Sequence, residues 1–280
     1  MLYFDHAATT PVHPKVVKKM EDVSRLDYGN PSSVYSSGRV AKSIIEDARS
    51  QIASMIDASP SEIYFTGSGT EANNIVLWSM LYNEKKHVIT SAIEHPAVLK
   101  VLEELQYFGI TFDVLPVDST GLVDPKDVEM AIKKDTGMIS IMYVNNEIGT
   151  IQSLQKLIEI SKKRSILFHS DCVQVIGKLP LSVLKIEADY MTFSAHKFYG
   201  PKGIGFLYRR KGAPLRPLVI GGGQESNIRA GTENISGIAG LGVAAKLAYQ
   251  NLNSRIDHLF QLEKYFKNNI IQKPVSYTHL

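Results

Sequence analysis

The sequence has 280 residues, of which 44% are hydrophobic and 21% charged, with a formal net charge of +3. Such a composition suits one large folded domain, or one with part of a second, and is too weakly charged to argue for nucleic acid. No apolar run is long enough to span a bilayer, residues 1–6 lack a secretory leader pattern, and the one cysteine, Cys172, excludes a disulfide framework, so a soluble cytoplasmic protein without membrane or nucleic-acid partners is expected.

Residues 2–14, rich in Thr and Pro, read as an extended arm. Pro14 opens a helix carrying Val16, Val17, Met20 and Val23 at helical spacing. After the loop Tyr28-Gly29-Asn30-Pro31-Ser32-Ser33, a second helix over 36–57 places Ile44, Ile45, Ala48, Ile52 and Met55 on one stripe. From there strands and helices alternate. A strand at 62–65 leads through the turn Gly67-Ser68-Gly69-Thr70-Glu71 into a helix over 72–82. A strand at 88–90 and a helix over 96–108 follow, then a strand at 111–117 and a helix opened by Asp124-Pro125. A strand at 138–144 ends in Asn145-Asn146-Glu147, a helix covers 154–163, and a strand at 166–169 ends in Ser170-Asp171. Two more strands, at 190–193 and 205–208, flank Ser194-Ala195-His196-Lys197, and helices over 233–250 and 254–268 close the pattern.

Such alternation predicts an α/β protein with three layers, a mainly parallel sheet having helices on both faces. The expected organisation is an N-terminal arm (1–14) contributing to a small domain, a large domain (15–252), and the start of an incomplete small domain (253–280). A helix that runs into a short polar tail predicts a truncated second domain, so the chain is expected to be a C-terminally truncated fragment.

The chemistry gathers at the strand ends: Gly69-Thr70, Glu94-His95, Asn145-Asn146, Asp171 with Gln174, and Ser194-His196-Lys197. In a parallel sheet these ends share one edge, where cofactors sit. The set suits pyridoxal 5'-phosphate (PLP). Lys197 can join its aldehyde, Asp171 can hold the pyridine nitrogen protonated, and a helix opening at Gly69-Thr70 favours a phosphate. Ser194 and His196 can complete the phosphate cup, and His95 can stack on the ring or shuttle protons. Taken singly, Lys197 reads as readily as a surface lysine in a loop, Asp171 as a turn or cap residue, and His95 as a cap. His169 is expected to point away from Asp171 and takes no role, and Cys172 is expected on the cofactor side. The histidines show no metal-ligand spacing, so no metal is expected.

The motifs Tyr3-Phe4-Asp5-His6-Ala7-Ala8-Thr9-Thr10, Gly29-Asn30-Pro31-Ser32-Ser33, Phe65-Thr66-Gly67-Ser68-Gly69-Thr70-Glu71-Ala72-Asn73-Asn74, Glu94-His95, Val144-Asn145-Asn146-Glu147-Ile148-Gly149, Asp171-Cys172-Val173-Gln174, Ser194-Ala195-His196-Lys197 and Arg229-Ala230-Gly231-Thr232-Glu233-Asn234 occur in this order. Together they resemble the cysteine desulfurases of the class V aminotransferase group, the NifS-like and IscS-like enzymes. The resemblance implies PLP-dependent transferase fold type I, a homodimer, and PLP on Lys197. It implies Asp171 on the pyridine nitrogen, Gln174 on the phenolic oxygen, and His95 over the ring. Thr70, Ser194 and His196 would hold the phosphate with Thr232 of a neighbouring subunit, and Asn146 would help hold cofactor and substrate.

The implied reaction converts L-cysteine to L-alanine. The sulfur passes to an enzyme cysteine and then to an acceptor protein serving iron–sulfur cluster assembly or tRNA thiolation. The family's loop cysteine has no counterpart here, and Cys172 is not expected to replace it; residues 275–280 do not resemble a family continuation and are expected to be foreign to the chain. The expected behaviour is PLP binding with little persulfide formation. Competing readings are another class V PLP enzyme, a selenocysteine lyase or an aminotransferase, and a non-catalytic scaffold.

Overall fold

The structure is a computed structural model that describes residues 2–270; the tail expected to be foreign, 275–280, lies outside the described residues. An arm leads to helices α1 (Pro14–Leu26) and α2 (Ser36–Met55). Strand β1 (Ile63–Thr66) precedes α3 (Gly69–Trp78), and β2 (His87–Ser91) precedes α4 (Pro96–Leu105). The chain continues through β3 (Thr111–Leu115), α5 (Pro125–Ala131), β4 (Thr136–Ser140), α6 (Leu154–Lys163), β5 (Leu167–Asp171) and the short α7 (Val183–Ile186). Strands β6 (Tyr190–Ser194) and β7 (Gly205–Arg209) then precede α8 (Ile235–Gln250) and α9 (Leu252–Ile270).

The seven strands lie in the order β1-β7-β6-β5-β4-β2-β3. β2 pairs in parallel with β3 and β4, β4 with β5, and β5 with β6, whereas β7 is antiparallel to both β1 and β6. Six strands therefore run one way and β7 runs against them. Residues 195–204 are too short a link for a parallel crossover, which takes a dozen residues or more, so the chain turns back beside β6. The C-terminal ends of β1, β2, β5 and β6 consequently share one edge.

Alternating side chains feed two cores, one on each face. On one face Val88, Met138, Tyr190 and Leu207 pack with Ile75, Val76 and Leu77 of α3 and Val98 and Leu102 of α4. On the other, Ile89, Ile139, Phe168, Phe193 and Phe206 pack with Ile45 and Ile52 of α2, Leu157 and Ile158 of α6, and Leu241 and Ala245 of α8. The expected three layers are present. Small residues set the spacing of α8. A Cβ on Gly242 would lie 2.8 Å from Ala48 Cβ of α2, and one on Gly240 would lie 2.8 Å from Met20 Cγ of α1.

Several boundaries differ from the expectation. The fourth strand stops at Ser140 rather than Val144, although the Ile141 and Tyr143 N–H groups still donate to the His169 and Asp171 carbonyls. Val144 bridges back to Ile151, and this local pairing draws the segment out of the sheet into a loop. The helix expected over 72–82 begins at Gly69, because Ser68 caps it by accepting the Glu71 N–H. Among the described residues, no helix is long and apolar enough to cross a membrane.

Candidate active site

A cavity of about 340 Å³ opens at the shared strand edge. Nine of the ten sequence-derived site residues line it: Gly69, Thr70, His95, Asn146, Asp171, Gln174, Ser194, His196 and Lys197. The tenth, Thr232, is exposed and lines a separate depression with Arg229 and Glu233.

Asp171 is the last residue of β5 and forms the floor, 4% exposed. Its Oδ1 accepts the Val173 N–H at 3.0 Å and its Oδ2 accepts from Asn73 Nδ2 at 2.7 Å. Asn73 is set in turn by Thr192, whose hydroxyl donates to Asn73 Oδ1 at 2.6 Å. Burial pushes the Asp171 carboxyl up. The Val173 and Asn73 donors and the nearby His95 and Lys197 oppose that shift.

Lys197 follows β6 on a single 3-10 turn, Ala195–Lys197. Its ammonium donates to the carbonyls of Ala7 at 2.7 Å and Ala8 at 2.8 Å, so the N-terminal arm roofs the cavity. Burial lowers the Lys197 pKa, against the carboxylates of Asp5, Asp171 and Glu147, and so makes the neutral, nucleophilic amine more accessible. The arm is stitched to this turn through Thr10. The Thr10 N–H and hydroxyl both donate to the His196 carbonyl at 2.9 Å, and the Thr10 hydroxyl accepts the Tyr199 N–H at 2.6 Å. His196 Nδ1 lies 3.0 Å from Thr9 Oγ1. Burial lowers the His196 pKa, and Lys197 and Lys202 add to the effect.

The first turn of α3 faces the cavity with Ser68, Gly69 and Thr70. First-turn N–H groups have no intrahelical acceptors and favour an anion. A Cβ at Gly69 would come within 2.6 Å of Val173 Cγ2, so only glycine lets this helix end sit against the Asp171 turn. His95 caps α4, its Nδ1 accepting the Ala97 N–H at 3.0 Å. The neutral ring therefore carries its proton on Nε2. Asn146 Nδ2 donates to Glu147 Oε1 at 2.6 Å.

Two expectations are corrected. Cys172 does not face the site: it is 0% exposed within the core on the opposite side of the sheet, where burial pushes its thiol up. His169 does not point away from Asp171. His169 pairs with Tyr190 and Asp171 with Thr192, so the two residues share a face. His169 is buried one step below, its Nδ1 at 2.8 Å from Ser140 Oγ and its pKa pressed down by burial to about 3.

Sequence reasoning gave no role to Asn73, Glu94, Lys178 or the Ala7 and Ala8 carbonyls. Asn73 lies three residues after Thr70, on the same helix face, and that spacing is the signal for it. Glu94 Oε1 accepts from Ser91 Oγ at 2.6 Å and the Met142 N–H at 2.8 Å, and burial pushes this carboxyl up to about 8. The carbonyls leave no trace in residue identity.

The family described as aminotransferase class-V matches residues 2–278. The chain is 45% identical over 282 residues to cysteine desulfurase IscS of Dictyoglomus turgidum, covering 100% of this chain and 71% of that protein. A solved structure named NifS-like protein superposes with a TM-score of 0.94 at 42% identity, covering 96% of this chain and 75% of that one. Another, SspA in complex with cysteine, gives a TM-score of 0.85 at 39% identity over 88% of this chain and 72% of that one.

Proposed function

The chain belongs to the class-V aminotransferase family, and we propose that it is a PLP-dependent cysteine desulfurase acting on L-cysteine. One juxtaposition carries the reading: Lys197 and Asp171 line the same cavity beside the first turn of α3. The residues fit the cofactor. Each Asp171 oxygen takes one hydrogen bond from behind and keeps acceptor capacity toward the cavity. The helix end with Thr70, Ser194 and His196 suits a phosphate, and Gln174 suits an oxygen on the ring.

When bound, PLP supplies an aldehyde for amines and a ring that accepts electron density from the substrate. Asp171 would hold the ring nitrogen and favour its protonated form. Lys197 Nζ would anchor the cofactor aldehyde and, as a free amine, would be placed to take the α-proton of the amino acid. His95, with its proton on Nε2, is placed to deliver a proton within the cavity. Asn146 helps hold the amino acid. A thiolate would attack the substrate sulfur; as the S–S bond forms the Cβ–S bond would break, its electron pair would stay on carbon, and protonation there would complete alanine. Cys172 is not that thiolate, because it is sealed in the core with its thiol pKa raised. With Cys172 the one cysteine of the sequence, the receiving thiol lies outside these 280 residues and hands the sulfur to an acceptor protein. We also propose a homodimer in which the exposed Thr232 reaches the neighbouring cavity.

Borohydride reduction in the presence of PLP, followed by peptide mass spectrometry, tests the assignment. The expected adduct sits on Lys197 and is lost in Lys197→Ala. An adduct on another lysine, or none, overturns it.

A further inference from the structure

Gln174 lines the cavity and is 6% exposed. Its amide has two ends of similar shape and opposite chemistry, and the end presented inward decides whether a bound group meets a donor or an acceptor. Two neighbours settle the orientation independently. Lys178 Nζ contacts Gln174 Oε1, and an ammonium can only donate. Gln174 Nε2 donates to the Ala7 carbonyl at 3.0 Å, and a carbonyl can only accept. The same Ala7 carbonyl receives the Lys197 ammonium. A continuous chain thus runs from Lys178 through Gln174 and the arm to Lys197.

We propose that Lys178 is a positioning residue that locks the Gln174 amide with its NH₂ toward the cavity. The inference deepens the PLP reading of this cavity and rests on it. Local backbone makes the contact. Residues 172–179 turn through the bonds Val175 N to Cys172 O and Lys178 N to Val175 O, and Gly177 takes a φ of +75° that side chains rarely adopt. The turn brings residue 178 back onto residue 174. Lys178 is half-buried, and among the described residues its ammonium donates to Gln174 Oε1 alone. Burial, with the charge of Lys197, lowers its pKa to about 8, so the ammonium is mainly charged at neutral pH. A half-buried charge directed at one amide oxygen polarises that amide and strengthens the donor at its other end.

PLP titration of the apo protein, followed by absorbance, reads both affinity and band position. Lys178→Met retains the aliphatic stem, and its loss of a charge-assisted bond is expected to weaken PLP binding about tenfold and to shift the band. Lys178→Arg, which keeps a donor and the charge, is expected to restore both. In a Gln174→Ala background, Lys178→Met is expected to add almost nothing, since its target is gone. Should Lys178→Met fail to fold, the uncharged Lys178→Gln carries the same test and is expected to fall between wild type and Gln174→Ala. Wild-type affinity and band in the folded variant, or a loss that adds in full to that of Gln174→Ala, overturns the role of Lys178 while leaving the PLP reading intact. A wild-type protein that shows no PLP band overturns both.

Discussion

The floor and the roof of the cavity are built by opposite means. On the floor, Asp171, Asn73 and Thr192 are buried side chains on β5, α3 and β6, each hydrogen-bonded to the next. On the roof, Lys197 meets backbone carbonyls of an arm whose residues 2–8 are exposed and belong to no helix or strand. Two packed layers over-determine the floor, so its charges act in a poorly screened setting without reorganising. The roof hangs on a few hydrogen bonds at Thr9 and Thr10. Floor substitutions should therefore change the chemistry, and roof substitutions should change how long the cavity stays occupied.

Asp171→Asn is the sharpest test of that division. It keeps the shape, removes the charge, and turns one of the two acceptor oxygens into a donor that meets either the Val173 N–H or the Asn73 amide. Exchange of the α-hydrogen of a bound amino acid into deuterated solvent should slow by on the order of 10²-fold or more. Apo stability should change little, because relief of the buried carboxylate is offset by a donor left without its acceptor. Unchanged exchange would mean that the floor is structural only.

Glu94, whose carboxyl accepts the N–H of the cavity-lining Met142, predicts a pH effect. Its carboxyl is raised from an ordinary value near 4.5 to about 8 by burial. The folded state thus holds a proton that the unfolded state has released. Stability should fall as pH climbs through that window, by at most about 1.4 kcal/mol per pH unit. Glu94→Gln stays neutral and should flatten the slope, as read from thermal melts of the apo protein. Parallel curves for the two proteins would show that Glu94 is ionised throughout. Asn73→Ala comes next: it takes a donor from Asp171 and an acceptor from Thr192, and should cost about 1–3 kcal/mol in urea denaturation. No loss would show that the floor is less constrained than its burial implies.

The contrast also explains what could be read from sequence. Lys197, Asp171, Ser194 and His95 were visible because side chains with evident chemistry stand where apolar runs give way to glycine or proline. The parallel sheet followed from alternation, and the helix starts at Pro14, Pro96 and Pro125 from proline's fixed φ. The roof was illegible, since a carbonyl of Ala7 looks like any other. Lys178 was missed because its role depends on a turn bringing it back to Gln174. Cys172 and His169 were misplaced for one reason: on a strand, the neighbour in sequence faces the opposite side and the next residue but one shares a face.

The smallest effect belongs to Thr10, where the arm is pinned. Its hydroxyl accepts the Tyr199 N–H and donates to the His196 carbonyl, and Tyr199 holds a φ of +66°, unfavourable for its side chain. Thr10→Val keeps the volume and loses both bonds, leaving the Tyr199 N–H unpaired, at about 1 kcal/mol. The Thr10 N–H still donates to His196, so the arm should loosen rather than leave. Limited proteolysis should cut residues 2–9 faster, and PLP should dissociate a few-fold faster, on the order of the same 1 kcal/mol. The absorbance band should not move, because no floor residue has changed. A shifted band would erase the division, since it would mean that the exposed arm sets the electronics of the site as well as its closure.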